Sequence, residues 1–368
     1  LTAPQRTQVE GEEIPIPPEP PVETYLVTLP APSLDDLRAI AERLLQALEQ
    51  QHGIVASQID LAALRDLSPG SRSEGWQLRV AVRDEEVVAL LSPDARALGL
   101  AVDLGTTKIA TYLIDLETGQ TLDSRGLMNP QIAYGEDVIA RLASAWREPG
   151  GAEKMQGLLV ETVNKVAGEM CDQAGCDRTS IVEAVVVGNT AIHHLFLGLP
   201  VEQLARAPYV PAIASALDVK ARELGVKIAP GAYVHLLPNI AGYVGADHVS
   251  MLLAIEIAQA EGIVLALDIG TNTEVCLADR GRLTSLSCAS GPAFEGAHVK
   301  PGMRAAYGAI ELLRLTGDQI EYQTIGGAPP AGLCGSGILD ALAQLCQAGV
   351  VDRNGYMGEH PRMRADTN

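Results

Sequence analysis

Short apolar runs are separated by polar, turn-forming stretches along this chain, and two of the apolar runs end in the same way. Residues 100–108 and 265–274 each lead from an apolar strand into an aspartate, a glycine and hydroxyl side chains; their aspartates, Asp103 and Asp268, lie 165 residues apart. A second strand, a tight turn and a third strand follow each copy. A single copy is equally typical of an ordinary strand and polar hairpin. Two copies with matched flanks predict an internal duplication, with two similar lobes around a cleft.

The remaining patterns divide the chain into segments. Proline-rich residues 1–22 predict an extended linker. Apolar periodicities over residues 23–97 predict a small α+β middle domain, in which a capping box at Ser33 and Asp36 starts a helix with Leu37 on its apolar face. Three roles stay open for this domain: spacing, packing and dimerisation, of which the last includes formation of a homodimer. The first lobe is predicted over 98–262 and the second over 263–368.

Each of the two repeated turns has the residue types that bind phosphate. Glycine permits positive φ and a close approach of backbone N–H groups to an anion, and hydroxyl side chains donate to phosphate oxygens. These residues are Gly105, Thr106 and Thr107 in the first turn and Gly270, Thr271 and Thr273 in the second. The strand-end carboxylates of Asp103 and Asp268 would repel a polyphosphate unless a hydrated Mg²⁺ ion lay between them. The pattern therefore predicts a phosphate site with Mg²⁺ held through water.

Two further segments carry polar residues where elements meet. Asn189 and Thr190 follow a buried strand that ends at Gly188, where side chains commonly face a ligand crevice but also cap helices. Gly335, Ser336 and Gly337 open a predicted helix. Free N–H groups at such a turn suit a phosphate or a nucleotide edge, although the same turn caps ordinary helices.

Composition narrows the class of partner. The net charge of −19 disfavours nucleic acid and anionic membranes, and no apolar run approaches the roughly 18 residues of a membrane span. The six cysteines form no C-x₂-C pair, so we expect reduced thiols and a cytoplasmic location. Because the chain opens at Leu1 and its second lobe is the shorter one, we expect that upstream sequence and a C-terminal portion are missing.

From about Glu23 to its last residue the chain resembles the reductive activators of corrinoid-dependent proteins, ATPases of the actin, sugar-kinase and Hsp70 (ASKHA) superfamily. The resemblance is carried by Asn129-Pro130-Gln131 with Tyr134-Gly135 and Asp137, Gly188-Asn189-Thr190 with His193-His194, Asp268 to Asn272 with Glu274, residues 291–296, and Gly335-Ser336-Gly337. It implies an α/β fold in which duplicated RNase H-like (actin-like ATPase) lobes follow the small α+β domain.

The resemblance also implies an activity and its residues. Such a protein spends ATP to return the Co(II) corrinoid of a partner, a corrinoid/iron–sulfur protein or a corrinoid methyltransferase, to Co(I), with electrons entering through an N-terminal [2Fe–2S] domain. Lys108 joins the first phosphate motif, and Gly270, Thr271, Asn272 and Glu274 belong to the second. Asp103, Asp268 and Glu274 are then the candidate catalytic residues, with Asp268 or Glu274 orienting the attacking water. The cluster cysteines, the last helix and the glycine-rich base loop of the family are not recognisable in this sequence.

Two other functions use the same lobes. A small-molecule kinase of the sugar or acetate kinase type needs an acceptor pocket with a general base, which we cannot identify in the sequence. A nucleotide-gated binding module, in the manner of a chaperone, needs no acceptor. The dependence of ATP turnover on a sugar, a corrinoid protein or an unfolded peptide discriminates between the three.

Overall fold

A computed structural model describes residues 16–135, 137–270, 272–289, 299–316 and 319–357. These residues fall into two compact units. The larger unit comprises the described residues of 16–268 and 275–286, and the smaller one comprises those of 269–274 and from 287 onward. Within the described ranges, no helix combines the length and the apolar character that crossing a membrane requires.

The larger unit begins with a four-stranded sheet backed by two helices. The sheet has the order β1-β3-β4-β2. The strand β3 pairs antiparallel with both β1 and β4, whereas β2 pairs parallel with β4. Its elements are β1 (Val22–Thr28), α1 (Ile40–His52), β2 (Gln58–Ile59), α2 (Leu61–Ser73), β3 (Gln77–Arg83) and β4 (Glu86–Leu91). Leu44 and Leu48 of α1 pack with Val80 and Val87 in the core of this layer. The strands confirm the α+β pattern predicted for this part of the chain.

The start of α1 differs from the prediction. The helix begins at Ile40 with no side-chain cap, and Leu37 is 83% exposed. The Asp36 carboxylate instead accepts a hydrogen bond from Arg43 at 2.8 Å and a second bond from Arg38. Since Arg43 is buried, its guanidinium requires acceptors, and Asp36 supplies one. The predicted capping box at Ser33 and Asp36 is therefore wrong.

A six-stranded sheet forms the centre of the larger unit. Its order is β7-β6-β5-β8-β10-β9. Its strands are β5 (Leu98–Leu104), β6 (Lys108–Asp115), β7 (Thr121–Met128), β8 (Ile181–Gly188), β9 (Leu217–Lys220) and β10 (Tyr233–Leu236). The strands β5, β6 and β7 form the predicted antiparallel meander, while β5, β8 and β10 are parallel. Asp103 pairs with Val187 and Leu104 with Gly188, so the carboxyl ends of β5 and β8 lie side by side.

Helices pack against this sheet and connect its strands. They are α3 (Val138–Arg147), α4 (Gly151–Ala174), α5 (Thr190–Phe196), α6 (Glu202–Ala205), α7 (Ala221–Leu224) and α8 (Ala246–Ala254). The longest of them, α4, contributes Met155, Leu159, Val163 and Met170 to the main core, as its apolar stripe predicts. The short segment before α3 is tied to α4, because Gln131 Nε2 donates to the Met155 carbonyl at 3.1 Å.

Charged side chains join the small sheet to the six-stranded one within the larger unit. Buried Asp60 accepts hydrogen bonds from Arg222 at 2.8 and 2.9 Å, and the Lys220 ammonium lies 3.0 Å from the Glu86 carboxylate. Tyr233 also donates to Glu86 at 2.8 Å. The outer faces of β3 and β4 share one apolar core with β5 and β8. The small sheet is thus packed directly on its neighbour, and packing is one of the roles left open for it.

The second repeat forms the strands β11 (Ile263–Ile269), β12 (Asn272–Asp279) and β13 (Arg282–Ala289), in the order β11-β12-β13. This confirms the predicted run of three neighbouring strands. In the smaller unit, β14 (Ala309–Thr316) pairs antiparallel with β15 (Gln319–Thr324) and parallel with β16 (Gly332–Leu333). The helix α9 (Gly335–Gln347) packs on β14, where Asp340 accepts the Leu313 N–H at 3.1 Å. The boundaries of the predicted domains stay predictions.

Candidate functional site

The first phosphate turn connects β5 to β6. Glycine is required at position 105 because the backbone of the turn comes very close to this residue. A Cβ atom on Gly105 would overlap the carbonyl oxygen of Lys108. Neither Gly105 nor Gly270 has positive φ, so the conformational reason expected from the sequence is wrong for both. The side chains of Thr106, Thr107 and Lys108 are partly exposed beside this turn. The hairpin thus presents two hydroxyls and one ammonium group at the end of the sheet.

Two asparagines hold this turn in place. Asn129 Nδ2 donates to the Gly105 carbonyl at 2.8 Å, and the Asn129 N–H donates to the Thr107 carbonyl at 2.9 Å. Asn189 Nδ2 donates to Thr106 Oγ1 at 2.9 Å. The resemblance included both asparagines in its motifs, but the sequence did not indicate that either contacts the turn. The two side-chain bonds join positions 24 and 83 residues apart.

Thr190, also predicted as a cofactor-binding residue, is fully buried. Its hydroxyl donates to the Ala241 carbonyl at 2.7 Å. This bond ties the start of α5 to residues 239–245, and Gly245 passes so close to Asn189 that a Cβ atom would overlap the Asn189 Cα. Thr190 therefore contacts the neighbouring loop and presents no open surface.

Three carboxylates interact electrostatically at this end of the larger unit: Asp103, Asp247 and Asp268. Desolvation by the surrounding protein and the negative charges of Asp247 and Asp268 together raise the pKa of Asp103 to about 7, although the Asp103 side chain stays open to water. The pKa of Asp247 is raised to about 6, mainly by desolvation and in part by the negative charge of Asp268. The three carboxylates therefore concentrate negative charge at this site, and they cannot neutralise one another.

Asp247 is the site residue that the sequence analysis missed. It lies in the first turn of α8, directly after the glycine-rich loop that packs on Asn189. The available signal was a glycine-rich loop that ends in an acidic residue at a helix start. That signal is weak alone, because acidic residues commonly occupy first turns of helices.

The carboxylates do not form a set of direct metal ligands. Within the part of the chain that the structure describes, no three His, Cys, Asp or Glu side chains come together as metal ligands. Carboxylates whose negative charges interact at a position open to water instead suit a hydrated divalent cation, which neutralises them through its water shell. The donor set at Asp103 and Asp268 therefore fits Mg²⁺ held through water.

In the second phosphate turn, the environment of Glu274 differs from that of Asp103 in the first. The Gly270 N–H donates to the Asn272 carbonyl at 3.1 Å, and Thr273 is partly exposed. Glu274 is buried and accepts a hydrogen bond from Ser287 at 2.9 Å. The predicted phosphate ligand Thr271 lies outside the described residues, as does the motif at residues 291–296.

The Gly-Ser-Gly turn lies where the sequence predicts, at the start of α9. Cys334 is the N-cap residue, and its sulfur lies 3.4 Å from the Ser336 hydroxyl. A Cβ atom on Gly337 would overlap the Ile310 carbonyl of β14. Gly337 is thus required for helix packing, and binding of a nucleotide by Gly335 and Ser336 stays a prediction.

Comparison with known families matches the chain almost throughout. Residues 11–97 match the RACo linker region, residues 98–260 the RACo middle region, and residues 262–368 the C-terminal domain of RACo, the ASKHA domain. Among solved structures, a reductive activator for corrinoid, iron–sulfur protein is 36% identical with a TM-score of 0.78, over 97% of this chain and 57% of that one.

Two curated relatives have related names. The corrinoid activation enzyme RamQ of Eubacterium limosum is 33% identical over 300 residues, which cover 80% of this chain and 50% of RamQ. The [Co(II) methylated amine-specific corrinoid protein] reductase of Methanosarcina barkeri is 27% identical over 286 residues, 69% of this chain and 52% of the reductase. The chain thus spans about half the length of the curated relatives it matches.

Proposed function

Since this chain belongs to the RACo family, we propose that it acts as an ATP-dependent reductive activator of a corrinoid protein. In this function ATP is bound and hydrolysed, and the cobalt of the partner's corrinoid is returned from Co(II) to Co(I). The names of RamQ, of the Methanosarcina barkeri reductase and of the similar solved structure support this class of partner. The ASKHA match supports nucleotide binding.

One observation carries the nucleotide part of the proposal. The hydroxyl-bearing turn 105–108 and the carboxylates of Asp103, Asp247 and Asp268 belong to one end of the larger unit. Hydroxyl and ammonium donors suit phosphate oxygens, whereas carboxylates repel them. Their combination is typical of a site for a polyphosphate together with a cation.

Each residue then has a chemical task. Lys108 and the hydroxyls of Thr106 and Thr107 bind the β- and γ-phosphates. Asp103 and Asp268 hold the water shell of Mg²⁺, which when bound supplies positive charge to the phosphate oxygens. Catalysis of phosphoryl transfer rests on such positioning and charge stabilisation.

The attacking water needs an acceptor among the acids. Asp268 and Glu274 were predicted for this task, and Asp247 joins them because its raised pKa of about 6 suits proton transfer near neutral pH. Glu274 is buried and bonded to Ser287, which favours Asp247 and Asp268 as the residues that orient water.

The electron for cobalt comes from outside the described residues. One electron converts Co(II) to Co(I), and we assign it to a [2Fe–2S] donor, as the family resemblance implies. No set of described side chains fits such a cluster. Nucleotide binding with a coupling of about 1–3 kcal/mol shifts a one-electron potential by about 45–130 mV, so a larger uphill step requires hydrolysis or altered cobalt ligation in the complex.

The test measures ATP hydrolysis by the intact protein with and without a Co(II) corrinoid protein, while the visible spectrum follows Co(I). We expect stimulation by the corrinoid protein and none by candidate sugars. Asp268→Ala should abolish hydrolysis and leave the fold intact. Asp279→Ala removes a half-exposed carboxylate from the last residue of β12 and serves as the matched control.

Sugar-dependent turnover would replace this proposal with a kinase. Wild-type turnover in Asp268→Ala would refute the assigned site. Loss of turnover in Asp279→Ala as well would show that the measurement reports general damage.

A further inference from the structure

The side-chain amide of Asn189 forms hydrogen bonds with two different partners, one through its oxygen and one through its nitrogen. Its Oδ1 accepts the Ile192 N–H at 3.0 Å and so caps α5, while its Nδ2 donates to Thr106 Oγ1 at 2.9 Å. A backbone N–H can only donate, so the atom that faces Ile192 must be the oxygen. The amide orientation therefore follows from the bonding pattern, and a donor faces Thr106.

This bond restricts the direction of the Thr106 hydroxyl proton. A threonine hydroxyl has one proton and two lone pairs, and Asn189 occupies one lone pair. The proton must then point away from Asn189. Because Thr106 is partly exposed, its O–H is available to an acceptor on the open side of the turn.

The backbone around Thr106 is held as well. Asn129 ties the carbonyls of Gly105 and Thr107, the residues on either side. Asn129 is 1% exposed and Asn189 is 9% exposed, so neither has appreciable surface for a phosphate. Both asparagines therefore support the turn from inside the protein.

We propose that Asn189 is a positioning residue that binds no nucleotide itself and directs the Thr106 hydroxyl toward the terminal phosphates. This inference rests on the proposed function, because it assumes that ATP binds at the turn 105–108. It changes the role that the sequence suggested for Asn189, from direct cofactor binding to action through Thr106. Preorganised donors of this kind need no reordering when the ligand arrives.

The test is a double-mutant cycle in the intact protein, with Asn189→Ser, Thr106→Val and the combination. Serine caps a helix about as well as asparagine but is too short to reach Thr106. Calorimetry with Mg²⁺ and a non-hydrolysable ATP analogue measures the dissociation constant. We expect Thr106→Val to weaken binding about 10- to 100-fold and Asn189→Ser about 3- to 10-fold.

The coupling between the two changes is the decisive quantity. In the Thr106→Val background, Asn189→Ser should change the dissociation constant by less than about 2-fold, because the hydroxyl that it orients is gone. Thr106→Ser, which keeps the hydroxyl, should keep the sensitivity to Asn189. Additive effects of Asn189→Ser and Thr106→Val would overturn the proposal while ATP binding stands.

Two further outcomes separate the possible failures. Absence of analogue binding by the wild-type protein would overturn the proposed function together with this inference. If Asn189→Ser does not fold, Asn189→Asp keeps the cap and the size of the side chain. Its carboxylate would accept the Thr106 O–H and turn the proton away from the nucleotide, so it should weaken binding more in the wild-type background than in Thr106→Val. Equal effects in both backgrounds would contradict the inference.

Discussion

Glu183 on β8 should make the stability of the larger unit depend on pH. It is 4% exposed, and neither carboxylate oxygen has a hydrogen-bond partner. Arg83 Nε lies 3.9 Å away, but Arg83 donates at 3.0 Å to Asp218. Burial raises the pKa of Glu183 to about 7 from an ordinary 4.5; Asp218 and Asp84 add to the rise, and the positive charge of Arg83 opposes it.

The direction of this pH dependence follows from which state, folded or unfolded, keeps the proton on Glu183. Between pH 4.5 and 7 the folded protein keeps the proton on Glu183 and the unfolded chain releases it, so the folded state binds more protons. The contribution of Glu183 to stability therefore falls as pH rises through this window and is constant above it. The folded and unfolded pKa values of Glu183 differ by 2.5, and at about 1.36 kcal/mol per pKa unit the ionised side chain lowers the free energy of unfolding by about 3 kcal/mol.

Glu183→Gln removes the charge and keeps the size of the side chain. Arg83 keeps Asp218 as its partner in this variant, so no buried cation is left unpaired. We expect the free energy of unfolding of Glu183→Gln to equal that of the wild-type protein near pH 4.5 and to exceed it by up to about 3 kcal/mol at pH 8.

Urea unfolding at several pH values from 4.5 to 8 measures this difference. Glu161→Gln, at an exposed position of α4, is the matched control and should track the wild-type protein throughout. A difference between Glu183→Gln and wild type that does not change with pH, or that favours the wild-type protein at pH 8, would refute the reasoning.

Three further changes test other contacts. Asp247→Asn should lower ATP hydrolysis about 100-fold or more if Asp247 accepts a proton from water, and steady-state assays that find wild-type turnover would exclude that role. Gly337→Ala should destabilise the smaller unit by about 1–3 kcal/mol because the added methyl overlaps the Ile310 carbonyl; an unchanged thermal midpoint would contradict this. Arg222→Ala should cost about 1–2 kcal/mol, because buried Asp60 loses this partner but keeps Lys220 at 3.5 Å, and urea unfolding within 0.5 kcal/mol of wild type would show otherwise.

The sequence alone predicted the elements whose cause is local. Apolar runs that end in an aspartate, a glycine and hydroxyl side chains identified both hairpins, because a short apolar run bounded by turn residues predicts a strand from local sequence alone. The continuous apolar run before Asn189 predicted a buried strand, and the Gly-Ser-Gly turn predicted the start of a helix at Gly335. The resemblance in ordered motifs then indicated the family that the domain matches support.

Only the tertiary structure decided which side chains meet. Asn129 and Asn189 reach the first phosphate turn because β7, β6, β5 and β8 are successive neighbours in one sheet, and Asp247 interacts with Asp103 from the first turn of α8. The Ser33–Asp36 capping box fails for the same reason, since buried Arg43 takes the acceptor. Local pattern sets the conformation of a segment, whereas partners distant in sequence are chosen by packing and by the need to satisfy every buried polar group.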